Sequence, residues 1–241
     1  MKMEKRVFAD IDALSQGALD EVFRVTKEAV GQHGRCSISL SGGHTPEKMF
    51  ALWSQEKYRA AFPWERVHFF WGDDRYVSYS DPLSNYGTAR KLLFANVGAN
   101  VSANVHPMPT EMPDPAEAAA AYAAELRKFF GTEPPAFDVQ LLGIGGEGHT
   151  ASLFPNNPAL DEDQAWVLPV TVPATPPHRL TMTYPVINQA RNTYFLVAGE
   201  SKREILHAIA AEPDTGVSQY PAARVRPAGP LLWFLDQAAA S

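Results

Sequence analysis

The chain has 241 residues, 45% of them hydrophobic and 20% charged, which is enough apolar material for a full core and excludes both intrinsic disorder and collagen-like repetition. Its 21 lysines and arginines stand against 27 aspartates and glutamates, a net charge of −6, so nothing global attracts nucleic acid and an anionic ligand would need a locally electropositive site. Cys36 is the sole cysteine, which rules out an intramolecular disulfide framework or a Cys-based zinc cluster.

No apolar run approaches the roughly 20 residues of a membrane helix, and the opening residues MKMEKRVFAD carry no apolar signal core. The expectation is a cytoplasmic protein with no membrane and no nucleic-acid partner. Apolar clusters bounded by Gly and Pro alternate with helical patterns along the whole chain. That is the signature of βα units, so the expected fold class is α/β: an open, mostly parallel sheet flanked by helices on both faces, three-layered and doubly wound, in one domain over residues 1–241.

From Asp12 to Gln32, Leu14, Ala18, Val22, Val25 and Ala29 share a helical stripe. The strand CSISL follows, and a helix is expected near Pro46 with Thr45 as its N-cap. Val67 to Trp71 reads as a buried strand and Ser84 to Phe94 as a helix, while residues 98–115 carry at most a short strand at Val105 to Met108. Asp114 caps the alanine-rich helix that ends at Gly131, and FDVQLLGIG is the next strand. Further strands are predicted at Trp166 to Val172, Arg179 to Thr183, Thr193 to Ala198 and Leu231 to Leu235, with a helix over Lys202 to Ala211.

Three segments bear on chemistry. Residues 141–155, LLGIGGEGHTASLFP, contain a literal GxGxxG from Gly143 to Gly148. Pro155 and Pro158 cut short the helix that a dinucleotide site requires, so the glycines suggest instead exposed amides at a strand end, with His149 projected into the ligand crevice of an open α/β sheet. The plainer alternative is a turn whose histidine is satisfied by its neighbours. Residues 37–50 deliver Ser41, Gly42, Gly43, His44 and Thr45 to a helix start, where bare N–H groups and the helix dipole suit a phosphate. An ordinary βα turn would use glycine in the same place. In residues 69–90, Asp73, Asp74 and Arg75 follow a buried strand, and the alternation of side chains sends at least one carboxylate toward the crevice unless the group is a solvated ion pair. Arg179 and Lys202, at strand and helix ends, could each reach an anion or be ordinary surface charges.

SGGHTP, WGDDRYV followed by Ser84-Asn85, and GIGGEGHTASLFP, in this order, resemble the 6-phosphogluconolactonase family within the glucosamine-6-phosphate isomerase/lactonase superfamily. The likeness runs from about residue 10 to residue 236. GHTASLFP is similar to the lactonase branch, whereas the superfamily's deaminases typically continue GHIAFNEP. The chain departs from the family's usual pattern at Glu147 (usually Asp), Asp74 (usually Glu) and Ser78 (usually Pro).

The resemblance implies hydrolysis of 6-phospho-D-glucono-1,5-lactone to 6-phosphogluconate in the oxidative pentose phosphate pathway. It makes His149 the catalytic histidine, Arg179 and Lys202 basic residues near the sugar phosphate, and Gly42, Gly43 and Thr45 the phosphate loop. An imidazole with an ordinary pKa of about 6.5 can take a proton from water and return it to the ring oxygen, so no metal or cofactor is expected. Glu147 is expected to orient the imidazole. Asp73 would hold substrate hydroxyls or buffer the histidine's charge, and Arg75 would meet the oxyanion or a neighbouring carboxylate. The partner is a small phosphosugar lactone, and the protein is a monomer or homodimer. The competing readings are a deaminase or isomerase in which Asp73 abstracts a carbon-bound proton, and a non-catalytic sugar-phosphate sensor. The roughly 35 residues before the first strand are too few for the DNA-binding module that a transcriptional sensor would need.

Overall fold

The structure, a computed structural model, describes residues 4–212 and 219–241. In chain order its elements are β1 (Glu4–Phe8), α1 (Ile11–His33), β2 (Cys36–Leu40), α2 (His44–Trp53), α3 (Glu56–Ala61), β3 (Val67–Trp71), β4 (Asp73–Arg75), α4 (Asn85–Leu92) and α5 (Pro115–Phe130). They continue with β5 (Val139–Leu142), β6 (Val167–Thr171), β7 (His178–Met182), α6 (Tyr184–Ile187), β8 (Thr193–Val197), α7 (Arg203–Ala211), β9 (Leu231–Asp236) and α8 (Gln237–Ala240). None of the described helices is long and apolar enough to cross a membrane.

The main sheet has the order β1-β9-β8-β5-β2-β3, and every neighbouring pair is parallel. Parallel strands are normally covered on both faces, and alternate residues of β3 show the two covers. Phe69 packs on Trp53 of α2, while Phe70 packs on Phe129 and Phe130 of α5. Burial of Phe69, Phe70 and Phe195 contributes about 1.5–3 kcal/mol each. The surface pair of Arg24 with Glu28 adds roughly 0.3–0.5 kcal/mol, so apolar layering dominates the stability.

Chain order reverses around β2. From there the chain steps outward to β3 and then crosses back to β5 on the other side. Open α/β sheets bind ligands at such a switch point, beyond the carboxyl ends of the strands. Here those ends lead into Ser41-Gly42-Gly43 and Gly143-Ile144-Gly145.

A second sheet, antiparallel and of order β4-β7-β6, is absent from the sequence-based expectation. Gly72 joins the sheets: its amide donates to Leu40 O of the first, and its carbonyl accepts from Met182 N of the second. One further expectation is corrected. The helix after β2 starts at His44 with Gly43 (φ +102°) as an N-cap lacking any side-chain hydrogen bond, so Thr45 lies inside the first turn and caps nothing. Val105 makes a single parallel bridge to Phe69, within the expectation of at most a short strand there. By contrast, Asp114 caps α5 as expected, accepting from the Ala116 and Glu117 amides.

Candidate active site

A cleft of about 490 Å³ opens at the switch point, lined by residues 41–46, Asp73, Arg75, Asn85, residues 143–145, His149, Arg179 and the turn carrying Lys202. Ten of the eleven residues expected from the sequence to act in catalysis or phosphate binding line it. The eleventh, Glu147, stands behind the imidazole and lines a neighbouring cavity of about 680 Å³ with Tyr220 and Arg224.

The β2 turn brings α2 into the cleft with its amino end uncovered. The His44 and Thr45 amides have no intrahelical acceptor, and no side chain caps them. Together with the positive end of the helix dipole, these groups have the chemistry to seat an anion. Gly42 is required by close approach: a Cβ there would lie 1.8 Å from Oδ1 of Asn85. Asn85 in turn donates from Nδ2 to the Asp73 carbonyl at 2.9 Å, so the glycine turn and β4 lock together through this side chain.

Strand alternation separates the two aspartates. Asp73 and Arg75 share the face toward the cleft, and Asp73 Oδ2 accepts from Ser152 Oγ at 2.7 Å. Asp74 points the other way, is fully buried, and accepts from the amides of Arg75, Asn85 and Tyr86 at 2.7, 2.7 and 3.0 Å. Burial pushes its pKa up to about 6 against those amide donors. Asp74 thus serves the amino end of α4, while Asp73 is the carboxylate available to a ligand.

Arg75 and Arg179 are direct partners across β4 and β7. Arg75 Nη1 donates to Leu83 O at 2.7 Å, Arg179 Nε donates to Pro176 O at 3.1 Å, and Arg75 Nε is buried without a partner. Burial lowers the Arg179 pKa, Asp73 opposes that shift, and Arg75 adds repulsion. Lys202 enters from the turn after β8, where Asp236 fixes the Gly199 amide with two contacts of 3.0 Å. A cleft with three cations and one carboxylate is locally electropositive inside an acidic protein.

His149 is set by a tight loop. Gly145 N donates to His149 O at 2.9 Å and Gly148 N to Gly145 O at 3.0 Å, with Gly148 at φ +87° where glycine is favoured. Nδ1 is buried, which leaves Nε2 as the nitrogen open to the cleft. Oε1 of Glu147 stands 3.0 Å from Nδ1 but off the N–H direction, a charge contact and not an aligned hydrogen bond. Burial lowers the His149 pKa below its ordinary 6.5; Glu147 and Asp73 pull it back up, and Arg179 reinforces the lowering. Burial also works to raise the Glu147 carboxyl, but its own amide, His149 and Lys202 outweigh that and hold it low. The histidine is therefore neutral, and the acid charged, near pH 7.

Sequence reasoning missed Ser152, which anchors Asp73, and Phe154, which stacks on His149. Their signal was proximity to His149 within one apolar run, a pattern equally typical of core.

The model of the family described as glucosamine-6-phosphate isomerases/6-phosphogluconolactonase matches residues 9–233. A 6-phosphogluconolactonase from Synechocystis sp. is 46% identical over 219 residues, covering 90% of this chain and 88% of its own. One from Nostoc sp. is 40% identical, covering 99% and 98%. Among solved structures, 6-phosphogluconolactonase from Trypanosoma brucei superposes with a TM-score of 0.85 at 27% identity, covering 99% of this chain and 98% of that one.

Proposed function

The chain belongs to the glucosamine-6-phosphate isomerase/6-phosphogluconolactonase family, and from that premise we propose that it hydrolyses 6-phospho-D-glucono-1,5-lactone to 6-phospho-D-gluconate, working in the cytoplasm within the oxidative pentose phosphate pathway. The observation that carries the reading is one shared cleft. A half-buried imidazole, held neutral, opens onto the same 490 Å³ as an uncapped helix start and three cationic side chains. This supports a substrate with a remote dianion and a reacting centre that exchanges protons.

Nε2 of His149 takes a proton from water as the water oxygen attacks C1. The tetrahedral oxyanion then collapses, the bond from C1 to the ring oxygen breaks, and the imidazolium returns its proton to that oxygen. Glu147 stabilises the imidazolium by charge. Arg179, beside Asp73 and close enough to His149 to influence its titration, and Arg75 supply positive charge to the phosphate or the developing oxyanion. Ser41, Gly42, Gly43, His44, Thr45 and Lys202 hold the phosphate, whose binding fixes the carbonyl against the imidazole. Asp73 holds substrate hydroxyls. Both proton transfers pass through one side chain, so the scheme calls for no cofactor.

The test is a coupled assay with freshly made lactone, in which spontaneous opening is subtracted and only excess 6-phosphogluconate formation counts. An excess rate is expected. Its absence, with ammonia released from glucosamine 6-phosphate, would replace the reading with a deaminase in which Asp73 acts as the base.

A further inference from the structure

We propose that Phe154 is a positioning residue for this reaction, its ring clamping the His149 imidazole in the orientation from which Nε2 serves the substrate. The proposal rests on the hydrolase reading and adds a part to it.

A histidine that works as base and then acid must keep one ring nitrogen aimed at the reacting atoms, and the common device is a hydrogen bond from the other nitrogen to a carboxylate. That device is incomplete here. Glu147 reaches 3.0 Å from Nδ1 but off the line of the N–H, and its side chain is 47% exposed. What touches the imidazole face to face is Phe154, with ring centroids 3.9 Å apart and planes 14° from parallel. Phe154 is 1% exposed and so cannot drift.

A second wall is Gly145. A Cβ built there would fall 2.0 Å from Nδ1 and 2.2 Å from Cε1 of His149, so the imidazole edge lies against bare backbone. The chain accepts an unusual conformation to return Phe154 to the histidine five residues earlier. Ala151 sits at φ +49°, where a residue with a Cβ is uncommon. Leu153 N closes the turn onto Thr150 O at 2.9 Å, and Thr150 Oγ1 anchors it to Gly143 O at 2.9 Å. The phenyl face also keeps water from the ring, in line with the lowering of the imidazole pKa by burial.

The test replaces the flat face with aliphatic volume, Phe154→Leu. Expected are a fall in kcat of about tenfold or more with KM within twofold, and an acid limb of the pH profile moved up toward 6.5, because desolvation weakens while Glu147 still attracts the proton. In a His149→Ala background the same change should leave the residual rate unmoved, since Phe154 acts through the imidazole. NMR titration of His149 gives a readout independent of turnover. The wild-type ring protons should carry the ring-current shift of a stacked phenyl, and the variant should lose it along with part of the pKa depression. Should the Leu variant fail to fold, Phe154→Met supplies a second, and the wild-type ring-current shift needs no variant. Unchanged kcat and an unchanged His149 titration would overturn the proposal, as would a wild-type ring without that shift. Failure of lactone hydrolysis in the wild type would instead sink the functional reading and leave the NMR result standing.

Discussion

Arg75 and Arg179 face each other directly across β4 and β7 on the cleft side, and among the described residues neither is in a salt bridge with a carboxylate. Like charges in directly opposed positions repel, so a guest that carries negative charge would relieve this pair. The product, 6-phosphogluconate, at a hundredfold excess over its Kd should stabilise the protein by about 2.7 kcal/mol, or roughly 5–10 °C in Tm for a chain of this size. In Arg179→Met the gain should fall below half, while unphosphorylated gluconate should give little in either protein. Equal gains from the two ligands would remove the phosphate from this part of the cleft.

In the proposed mechanism His149 sets the pH dependence. Its pKa is lowered from 6.5, so the base form persists below that value, and kcat/KM should hold from neutral pH down and decline only as pH falls through the depressed pKa. His149→Ala should cost about 10² or more in catalysed rate with the fold intact by circular dichroism. Glu147 raises the histidine's pKa, so Glu147→Gln should move the acid limb lower still and reduce kcat by about tenfold as the imidazolium loses its partner. An acid limb that moved upward in this variant would contradict the charge contact.

Most of the site was legible because its residues cluster in three short motifs at strand ends. His149 and the Ser41-Gly42-Gly43 turn follow strands whose apolar runs are unambiguous, Asp73 comes two residues after the apolar run of β3, and β3 has the bounds expected of it. What stayed hidden has physical reasons. β4 spans three residues, too few for a period to register, and two of them are aspartates, which strands disfavour. β1 is an edge strand with four of its five residues exposed, so no apolar alternation marks it. Thr45 fits the N-cap preference well, but the cap is Gly43 at φ +102°, which places the threonine two residues further in, inside the first turn, and leaves the helix start without a side-chain cap. Propensity reads which residues like to cap, and a binding site is where the cap is left out.

Gly42 offers a test of the coupling between the glycine turn and β4. In Gly42→Ala the new methyl would overlap Asn85 Oδ1, and Asn85 is 4% exposed and tied to the Asp73 carbonyl, so it has little room to yield. Overpacking of this kind costs about 1–3 kcal/mol. We expect a measurable drop in the urea midpoint and, because Asn85 must shift, a rise in KM for the lactone. Gly146→Ala is the control, since a Cβ there meets nothing within 4 Å. The same drop in both variants would mean that backbone freedom, and not the contact with Asn85, is what matters.

The amino end of β3 holds a titratable relay that should govern acid stability without touching catalysis. His68 Nδ1 lies 3.0 Å from His106 Nε2, and His106 Nδ1 lies 2.8 Å from Glu125 Oε1; Phe70 stacks on His106 and Phe129 packs on His68. Burial, with His106 and Arg35 adding repulsion, pushes His68 down to about 4, and burial also lowers His106 although Glu125 opposes it. Between about 4 and 6.5 the folded protein therefore holds fewer protons on His68 than the unfolded chain does. Stability from the neutral imidazole is full above 6.5 and is lost as pH falls toward 4, at no more than about 1.4 kcal/mol per pH unit. His68→Gln keeps a donor toward His106 and removes the titration, so its urea midpoint should lose less between pH 7 and pH 5 than the wild type's. His68 sits roughly 13 Å along the strand from the turn that enters the cleft, so the variant's lactone turnover at pH 7 should match the wild type. Parallel midpoint curves for the two proteins would show that His68 titrates alike in the folded and unfolded chains.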